Sequence, residues 1–268
     1  MSKTRTRKRR STSSLLLGGY GALIFAFLYI PIITIVVFSF GDSIYPTLPI
    51  NAFTLDWYRS AFTDSDLLES LRNSLLVAPV VGLVSATIGL LAARELSKYQ
   101  FRGKGVILLI VLGPLLVPLI VFGLGLLLLF SALNLEPSIW GAVIAHSVFG
   151  ISLSTLILYS RLLGFRESLM ESAVDLGATP IRAFFEVMVP LVFPAFAAAF
   201  LLSFTLSFDE FLVAWFVIGF DTTLPVEIWG RLRYGITPEI NAIATGVLLV
   251  SLTLGIVGQR LARRGTNS

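Results

Sequence analysis

The sequence lacks most of the residues on which catalytic and metal sites depend. It contains no cysteine and a single histidine, His146, among 268 residues. A disulfide framework and a thiolate metal site are therefore excluded, and a histidine-based site could draw on only one histidine. The chain also has no Gly-x4-Gly-Lys-[Ser/Thr] phosphate loop. We therefore do not expect it to hydrolyse ATP alone, and we assign it no catalytic residue and no metal.

Charged residues are scarce as well, at 13% of the chain, whereas a soluble domain carries about 25%. Hydrophobic residues make up 56%, gathered in runs at 15–40, 71–93, 105–131, 138–160, 190–218 and 240–259. Each run has about 20 residues or more, enough to cross roughly 30 Å of hydrocarbon as a helix. We predict an all-α membrane protein, a polytopic bundle of about six transmembrane helices.

Positive charges fall on one side of this predicted topology. Sixteen of the 20 Lys and Arg residues precede the first run, follow the last, or lie in the connections 94–104 and 161–182. The positive-inside rule places these segments and both termini in the cytoplasm. We expect the basic tail, residues 1–14, to orient the first span against anionic lipid rather than to bind nucleic acid. A single transmembrane domain over 15–262 and a cytoplasmic tail over 263–268 complete the predicted organisation.

The connection 161–189 is the most patterned polar stretch of the chain. Glu167, Glu171 and Asp175 recur every four residues, so they share one face of a predicted helix. Gly177 is placed to end that helix, because glycine adopts the left-handed conformation at little cost.

Thr179-Pro180 then predicts the start of a second short helix, with threonine as the N-cap and proline in the first turn. Pro190 is predicted to mark the entry into the fifth span. Such a helix pair fits an amphipathic connector resting on lipid, or a docking element for a cytoplasmic protein. Its acidic face argues against DNA, since phosphate binding requires Lys and Arg.

The same loop resembles the "EAA" loop of ABC importer permeases. The pattern is Glu171-Ser172-Ala173-x-x-x-Gly177, nine residues, then Val187-x-Val189-Pro190. It departs from the family by small or similar residues, at Ser172, Val187 and Val189. In that family the loop is a coupling helix seated in a cleft of the ATPase subunit. The resemblance implies this role for the following residues: Glu171, Ser172, Ala173, Asp175, Gly177 and Pro190.

Segments outside the loop resemble the second permease of spermidine/putrescine-type importers. They cover residues 145–149, 158–162, 202–210 and 235–242. The resemblance implies a type I ABC importer permease fold and a multi-pass protein of the bacterial inner membrane. It implies these partners: an ABC ATPase dimer that holds ATP-Mg, a second related but distinct permease, and a periplasmic or extracellular solute-binding protein. The expected cargo is a polyamine such as putrescine or spermidine, and no cofactor is expected in this chain.

The fifth run contains two adjacent acidic residues, Asp209 and Glu210. Carboxylates inside a membrane are costly and usually face the interior of the bundle. Glu210 follows Ser203 and Ser207 at helical spacing, with Ala214 next, so we predict a small polar stripe on one helix face. Carboxylates on that stripe would replace the hydration of a polyamine. The predicted substrate pathway therefore comprises Ser203, Ser207, Asp209 and Glu210.

Other interpretations of the acidic pair remain open. Asp209 and Glu210 could instead make an interhelical hydrogen bond or a salt bridge to Arg231 or Arg233. They could also couple ions in a secondary transporter or channel driven by an ion gradient, which is the alternative function. We expect His146 to be a packed, hydrogen-bonded residue rather than a substrate ligand.

Overall fold

Helices make up nearly all of the regular structure, because in hydrocarbon a backbone N–H finds its hydrogen-bond partner within its own segment. The computed structural model describes residues 12–44, 47–233, 235 and 238–249. Across those ranges, bridged extended structure is limited to one isolated pair, Gly41 and Phe53. The predicted all-α class is confirmed.

The helices of the described ranges are numbered in chain order. They are α1 (Thr12–Phe38), α2 (Asp56–Thr63), α3 (Ser65–Lys98), α4 (Lys104–Leu112), α5 (Leu119–Ala132), α6 (Ile139–Leu162), α7 (Ser168–Asp175), α8 (Pro180–Ala183), α9 (Val189–Asp209), α10 (Leu212–Val217), α11 (Leu224–Leu232) and α12 (Pro238–Leu249). A 3-10 turn, Gly113–Leu116, follows α4, and a π-helical turn, Phe184–Met188, joins α8 to α9.

Within the described residues, four helices are long and apolar enough to cross a membrane: Leu17–Phe38, Ser65–Lys98, Ile139–Leu162 and Pro180–Asp209. They correspond to the first, second, fourth and fifth predicted runs. The sixth run, 240–259, is described only as far as α12 extends. The remainder of that run, the tail 263–268 and most of the tail 1–14 lie outside the described residues.

The third predicted run, 105–131, is not one straight helix. Its halves, Lys104–Leu116 and Leu119–Ala132, meet at an angle of 104°. The break falls at Val117, which is extended and precedes Pro118. Proline disfavours the α conformation of the residue before it, which explains the position of the break. The pair is a broken span or a re-entrant loop, so the described residues hold four spans, or five with this pair.

The chain divides into two compact units, Ser65–Gly230 on one hand and Met1–Asp64 with Arg231–Ser268 on the other. In the first unit, α3, α6 and α9 pack on one another around a core that includes Leu158 and Val192. A second cluster joins α5, α6 and α10 around Phe130. The prediction of a single membrane domain over 15–262 stays a prediction.

A glycine allows α3 to approach α6 closely. A Cβ atom on Gly89 would lie 2.6 Å from the Ser154 Cβ and 2.9 Å from the Thr155 backbone nitrogen. Both distances are far shorter than an ordinary contact, so a side chain there would push the helices apart. Small residues serve this purpose in membrane proteins, where helix association depends on close van der Waals packing.

We therefore expect Gly89→Val to destabilise the folded chain by about 1–3 kcal/mol, the usual cost of overpacking. Gly125→Val is the matched control, because a Cβ atom on Gly125 of α5 meets no atom within 4 Å. Thermal unfolding of both variants in the same detergent measures the difference. Equal melting temperatures would contradict the close packing of α3 on α6.

In the second unit, polar contacts join segments from the two ends of the sequence. Arg231 donates two hydrogen bonds to the carboxylate of Asp64, at 2.8 and 3.0 Å. Ser60 donates to Glu239 at 2.8 Å. The helix α1, by contrast, has no buried residue in its apolar part, Leu17–Phe38.

Candidate functional site

The 161–189 loop is organised around α7, whose end is fixed by Gly177. Gly177 has a φ of +93°. Its amide donates to the Val174 carbonyl at 2.8 Å, and the Ala178 amide donates to the Ala173 carbonyl at 3.0 Å. This pair of bonds is the Schellman motif, which satisfies the last carbonyls of a helix and requires a left-handed residue at this position. The predicted role of Gly177 as a helix terminator is confirmed.

The second helix begins where the sequence predicts, at Thr179-Pro180, and it continues into α9. The Thr179 hydroxyl accepts from the Arg182 amide at 3.3 Å, and Pro180 occupies the first turn. The helix then continues through the π turn Phe184–Met188 into α9, whose first turn contains Pro190. The prediction that Pro190 marks the entry into the fifth span stays a prediction. In a regular α-helix the ring of Pro190 would clash with the carbonyl four residues before it. The wider π turn lies where that clash would arise.

One side of the loop is open to the surroundings. Of the residues predicted to couple to an ATPase, Glu171, Ser172, Asp175, Gly177 and Pro190 are exposed. Apolar side chains project beside them, and these are Val174, Leu176, Ile181 and Phe185, with Leu176 90% exposed. Apolar side chains within a polar rim are typical of surfaces that bind another protein.

The opposite side of the loop is buried in the core of the first unit. Met170, Ala183 and Met188 are members of the cluster that α3, α6 and α9 form. Ala173 packs against the same cluster. Of the predicted coupling residues, Ala173 therefore holds α7 in place, whereas its polar neighbours face outward.

Two cations near the end of α3 also contact the loop. Lys98 Nζ donates to Glu167 Oε1. The guanidinium carbon of Arg94 lies 4.9 Å from the ring centroid of Phe184, a cation–π distance. The acidic face predicted from the sequence is thus divided, since Glu167 pairs with α3 while the later acidic residues remain exposed.

The first unit contains a cavity of about 60 Å³ bounded by α5, α6, α9 and α10. Four polar side chains lie in its wall: His146, Ser203, Ser207 and Glu210. Apolar side chains from all four helices make up most of the remainder, and these include Leu119, Phe122, Phe149, Leu206 and Val213. Three of the four predicted pathway residues therefore meet at one cavity.

Glu210 explains why the fifth predicted run, 190–218, is interrupted. The helix α9 ends at Asp209, and Glu210 is extended, with φ −77° and ψ 121°. Its Oε2 atom accepts from the amides of Val213 and Ala214, at 2.8 and 3.2 Å. These amides belong to the first turn of α10 and have no partner within that helix. The prediction of one continuous helix carrying Glu210 and Ala214 on one face is therefore wrong beyond Asp209.

His146 joins the polar residues of the cavity wall. Its Nδ1 atom lies 2.9 Å from Ser207 Oγ, and its Nε2 atom lies 3.4 Å from Glu210 Oε2. The residue is 5% exposed. The prediction of a packed, hydrogen-bonded histidine is confirmed. Its place in the cavity wall was not predicted, because spacing within one run gives no information on contacts between α6 and α9.

The two remaining predicted pathway residues have different surroundings. Ser203 is buried, 3.0 Å from Ser154 Oγ, and it donates to the Gly150 carbonyl at 3.4 Å. Asp209 is exposed and does not line the cavity. Arg231, one of the partners considered for the acidic pair, binds Asp64.

Residues 85–264 match the protein family described as "Binding-protein-dependent transport system inner membrane component". The spermidine/putrescine transport system permease protein PotC of Escherichia coli (strain K12) is 37% identical over 253 residues, which cover 94% of this chain and 96% of PotC. The putrescine transport system permease protein PotI of the same organism is 36% identical over 242 residues, which cover 87% of this chain and 85% of PotI.

Among solved structures, the chain resembles a crystal structure of a bacterial ABC transporter involved in the import of the acidic polysaccharide alginate. The TM-score is 0.69 and the sequences are 20% identical. The superposition covers 93% of this chain and 98% of the other. At this identity the likeness concerns the fold alone.

Proposed function

The chain belongs to the binding-protein-dependent transport system inner membrane components, and from that membership we propose which solute it carries and how it is driven. It is a multi-pass protein of the bacterial inner membrane and a permease subunit of an ABC importer, with the type I permease fold that the sequence predicted. The proposed solute is a polyamine, spermidine or putrescine. Support comes from the two Pot permeases, which are similar to this chain over nearly its whole length.

The observation that carries the polyamine proposal is the carboxylate of Glu210 in the wall of a largely apolar cavity. A polyamine combines ammonium groups with methylene chains, so it needs both an anion and apolar surface. The cavity of about 60 Å³ exceeds the roughly 10–15 Å³ needed for one water molecule. It has room for one ammonium group and a few methylenes rather than for a whole polyamine. Passage of the solute therefore requires the helices around the cavity to move apart.

The proposed pathway residues at this cavity are Ser203, Ser207 and Glu210. The carboxylate supplies the charge that attracts the ammonium group. The serine hydroxyls supply hydrogen-bond acceptors that replace part of its water shell. Asp209 is exposed beside this cavity and remains a more distant member of the proposed pathway.

The proposed docking surface for the ATPase is the exposed side of α7 and its Schellman end. Glu171, Ser172, Asp175 and Gly177 lie on it, and Leu176 is the most exposed of the apolar side chains beside them. The ATPase dimer holds ATP-Mg and supplies the energy. The contacts of the loop with Lys98 and Arg94 couple its displacement to α3, and the continuous helix Pro180–Asp209 couples it to the cavity.

The remaining proposed partners are a second, related but distinct permease and a solute-binding protein outside the inner membrane. The family description supports the binding protein, because it names a binding-protein-dependent transport system. The Pot relatives support the second permease, since each is named as a permease protein of a larger transport system.

Vesicles that contain the chain with its ATPase, second permease and binding protein are expected to accumulate labelled spermidine or putrescine when ATP is supplied. Uptake should stop when a non-hydrolysable analogue replaces ATP, and it should persist when ionophores collapse ion gradients. The control is the same vesicle preparation without the ATPase. Uptake by this control under an ion gradient would overturn the proposal and favour a secondary transporter or channel that uses Asp209 and Glu210.

A further inference from the structure

One ring nitrogen of His146, the buried Nε2 atom, has no hydrogen-bond partner among the described residues. Buried side-chain nitrogens nearly always have a partner, so an exception requires an explanation. The carboxylate atom Glu210 Oε2 lies 3.4 Å away. That separation exceeds a normal N–H···O hydrogen bond by a few tenths of an ångström.

The hydrogen bond of the other ring nitrogen, Nδ1, decides which nitrogen of the neutral ring carries the proton. Nδ1 lies 2.9 Å from the Ser207 hydroxyl. When that hydroxyl donates to Nδ1, the neutral ring carries its proton on Nε2, which faces Glu210. His146 is then a hydrogen-bond donor directed at the carboxylate from α6.

Glu210 makes all of its described polar contacts through one oxygen. Oε2 accepts from the amides of Val213 and Ala214 and is also the atom that faces His146. Among the described residues, Oε1 has no such contact and is left for another partner. A cation bound to Oε1 would pull the carboxylate away from α10, and Oε2 would then need a replacement donor.

We propose that His146 is a positioning residue that supplies this replacement donor. When a cation occupies the cavity, the Nε2–H of His146 forms a hydrogen bond to Glu210 Oε2. The hydrogen bonds that link Ser207, His146 and Glu210 then hold the carboxylate at the cavity wall. The inference rests on the proposed pathway role of Glu210. It assigns His146 no contact with the solute, and its effect on transport passes through Glu210.

A double-mutant cycle in the assembled transporter tests this role, with KM and maximal rate measured for labelled putrescine. His146→Asn keeps a polar group near Nδ1 but does not reach Glu210, whereas His146→Gln places an amide N–H near the position of Nε2. We expect His146→Asn to raise KM about threefold or more with the maximal rate largely kept. His146→Gln should restore most of the affinity. In a Glu210→Gln background, His146→Asn should change KM no further.

An unchanged KM in His146→Asn, or the same increase with and without the Glu210 carboxylate, would overturn the proposal. Neither result would contradict the proposal that the chain transports polyamines. If Glu210→Gln alone leaves KM unchanged, the pathway role of Glu210 fails and His146 has nothing to position, while ATP-driven uptake still supports the importer. If His146→Asn does not assemble, His146→Ser replaces it in the cycle. That variant likewise removes Nε2 and leaves Ser207 and Glu210 in place, and the same changes in KM are expected.

Discussion

Gly177→Val is expected to lower ATP-driven uptake roughly tenfold or more while the chain still inserts into the membrane. Gly177 has a φ of +93°, where a β-branched residue is strained by about 1–3 kcal/mol. A Cβ atom there would meet no atom within 4 Å, so the strain acts through the backbone alone. It would unwind the end of α7 and displace Asp175 and Leu176. A cost of about 1–3 kcal/mol corresponds to a factor of roughly 5–150 in the population of the docking conformation.

Two further variants separate backbone strain from changes of the loop surface. Gly177→Asn should give intermediate uptake, because asparagine tolerates the left-handed conformation better than other side chains. Gly164→Val is the control in the same loop. A Cβ atom at Gly164 would lie 3.9 Å from the Arg161 carbonyl, an ordinary contact, and Gly164 does not have a positive φ. Uptake in vesicles and ATPase activity stimulated by the loaded binding protein measure the effect.

The order of the variants decides between explanations. Uptake should be highest in the unmodified protein, lower in Gly177→Asn and lowest in Gly177→Val. Uptake by Gly164→Val should be close to that of the unmodified protein. Normal uptake in a properly inserted Gly177→Val variant would contradict the coupling role of α7. An equal loss of uptake in Gly164→Val would mean that any added side chain in the loop disturbs docking. The Schellman motif would then have no specific role in coupling.

The helix ends of the 161–189 loop could be predicted because their causes are local. The left-handed Gly177 and the capping Thr179-Pro180 act within four residues, so the sequence alone contains the information. The bend in the third run also has a local cause, because Pro118 restricts the residue before it, but the apolar run 105–131 by itself predicted one span. Span identity follows from composition, since the long apolar runs can satisfy their backbone only as helices.

The break at Glu210 could not be predicted in this way. Apart from Asp209, the residues next to it are apolar and compatible with a helix. The interruption depends on a carboxylate that caps the amides of Val213 and Ala214. The cavity likewise depends on how α5, α6, α9 and α10 pack together. His146 enters it from a different run of the sequence, so periodicity within either run could not bring His146 and Glu210 together. Residue spacing predicted that Ser203, Ser207 and Glu210 share one surface, and all three line the cavity. They do not do so as one helix face, because α9 ends at Asp209, before Glu210.

Glu210→Gln is expected to raise KM for polyamine uptake roughly ten- to hundredfold, the effect of losing about 1.5–3 kcal/mol of charge-assisted hydrogen bonding. The glutamine carbonyl oxygen can still accept from the Val213 and Ala214 amides, so α10 should stay capped. The change therefore removes the negative charge and leaves the break between α9 and α10 in place. Uptake measured over a range of putrescine concentrations in vesicles gives KM and the maximal rate separately.

Asp209→Asn is the matched control, because it removes one negative charge from the adjacent residue, which is exposed and does not line the cavity. We expect it to change KM far less than Glu210→Gln does. Glu210→Ala should add a loss of assembled transporter to the rise in KM, since it removes the cap as well as the charge. If Asp209→Asn has the larger effect on KM, the solute passes along the exposed side of α9 rather than through the cavity. The chain from Ser207 through His146 to Glu210 would then serve only to hold α6, α9 and α10 together.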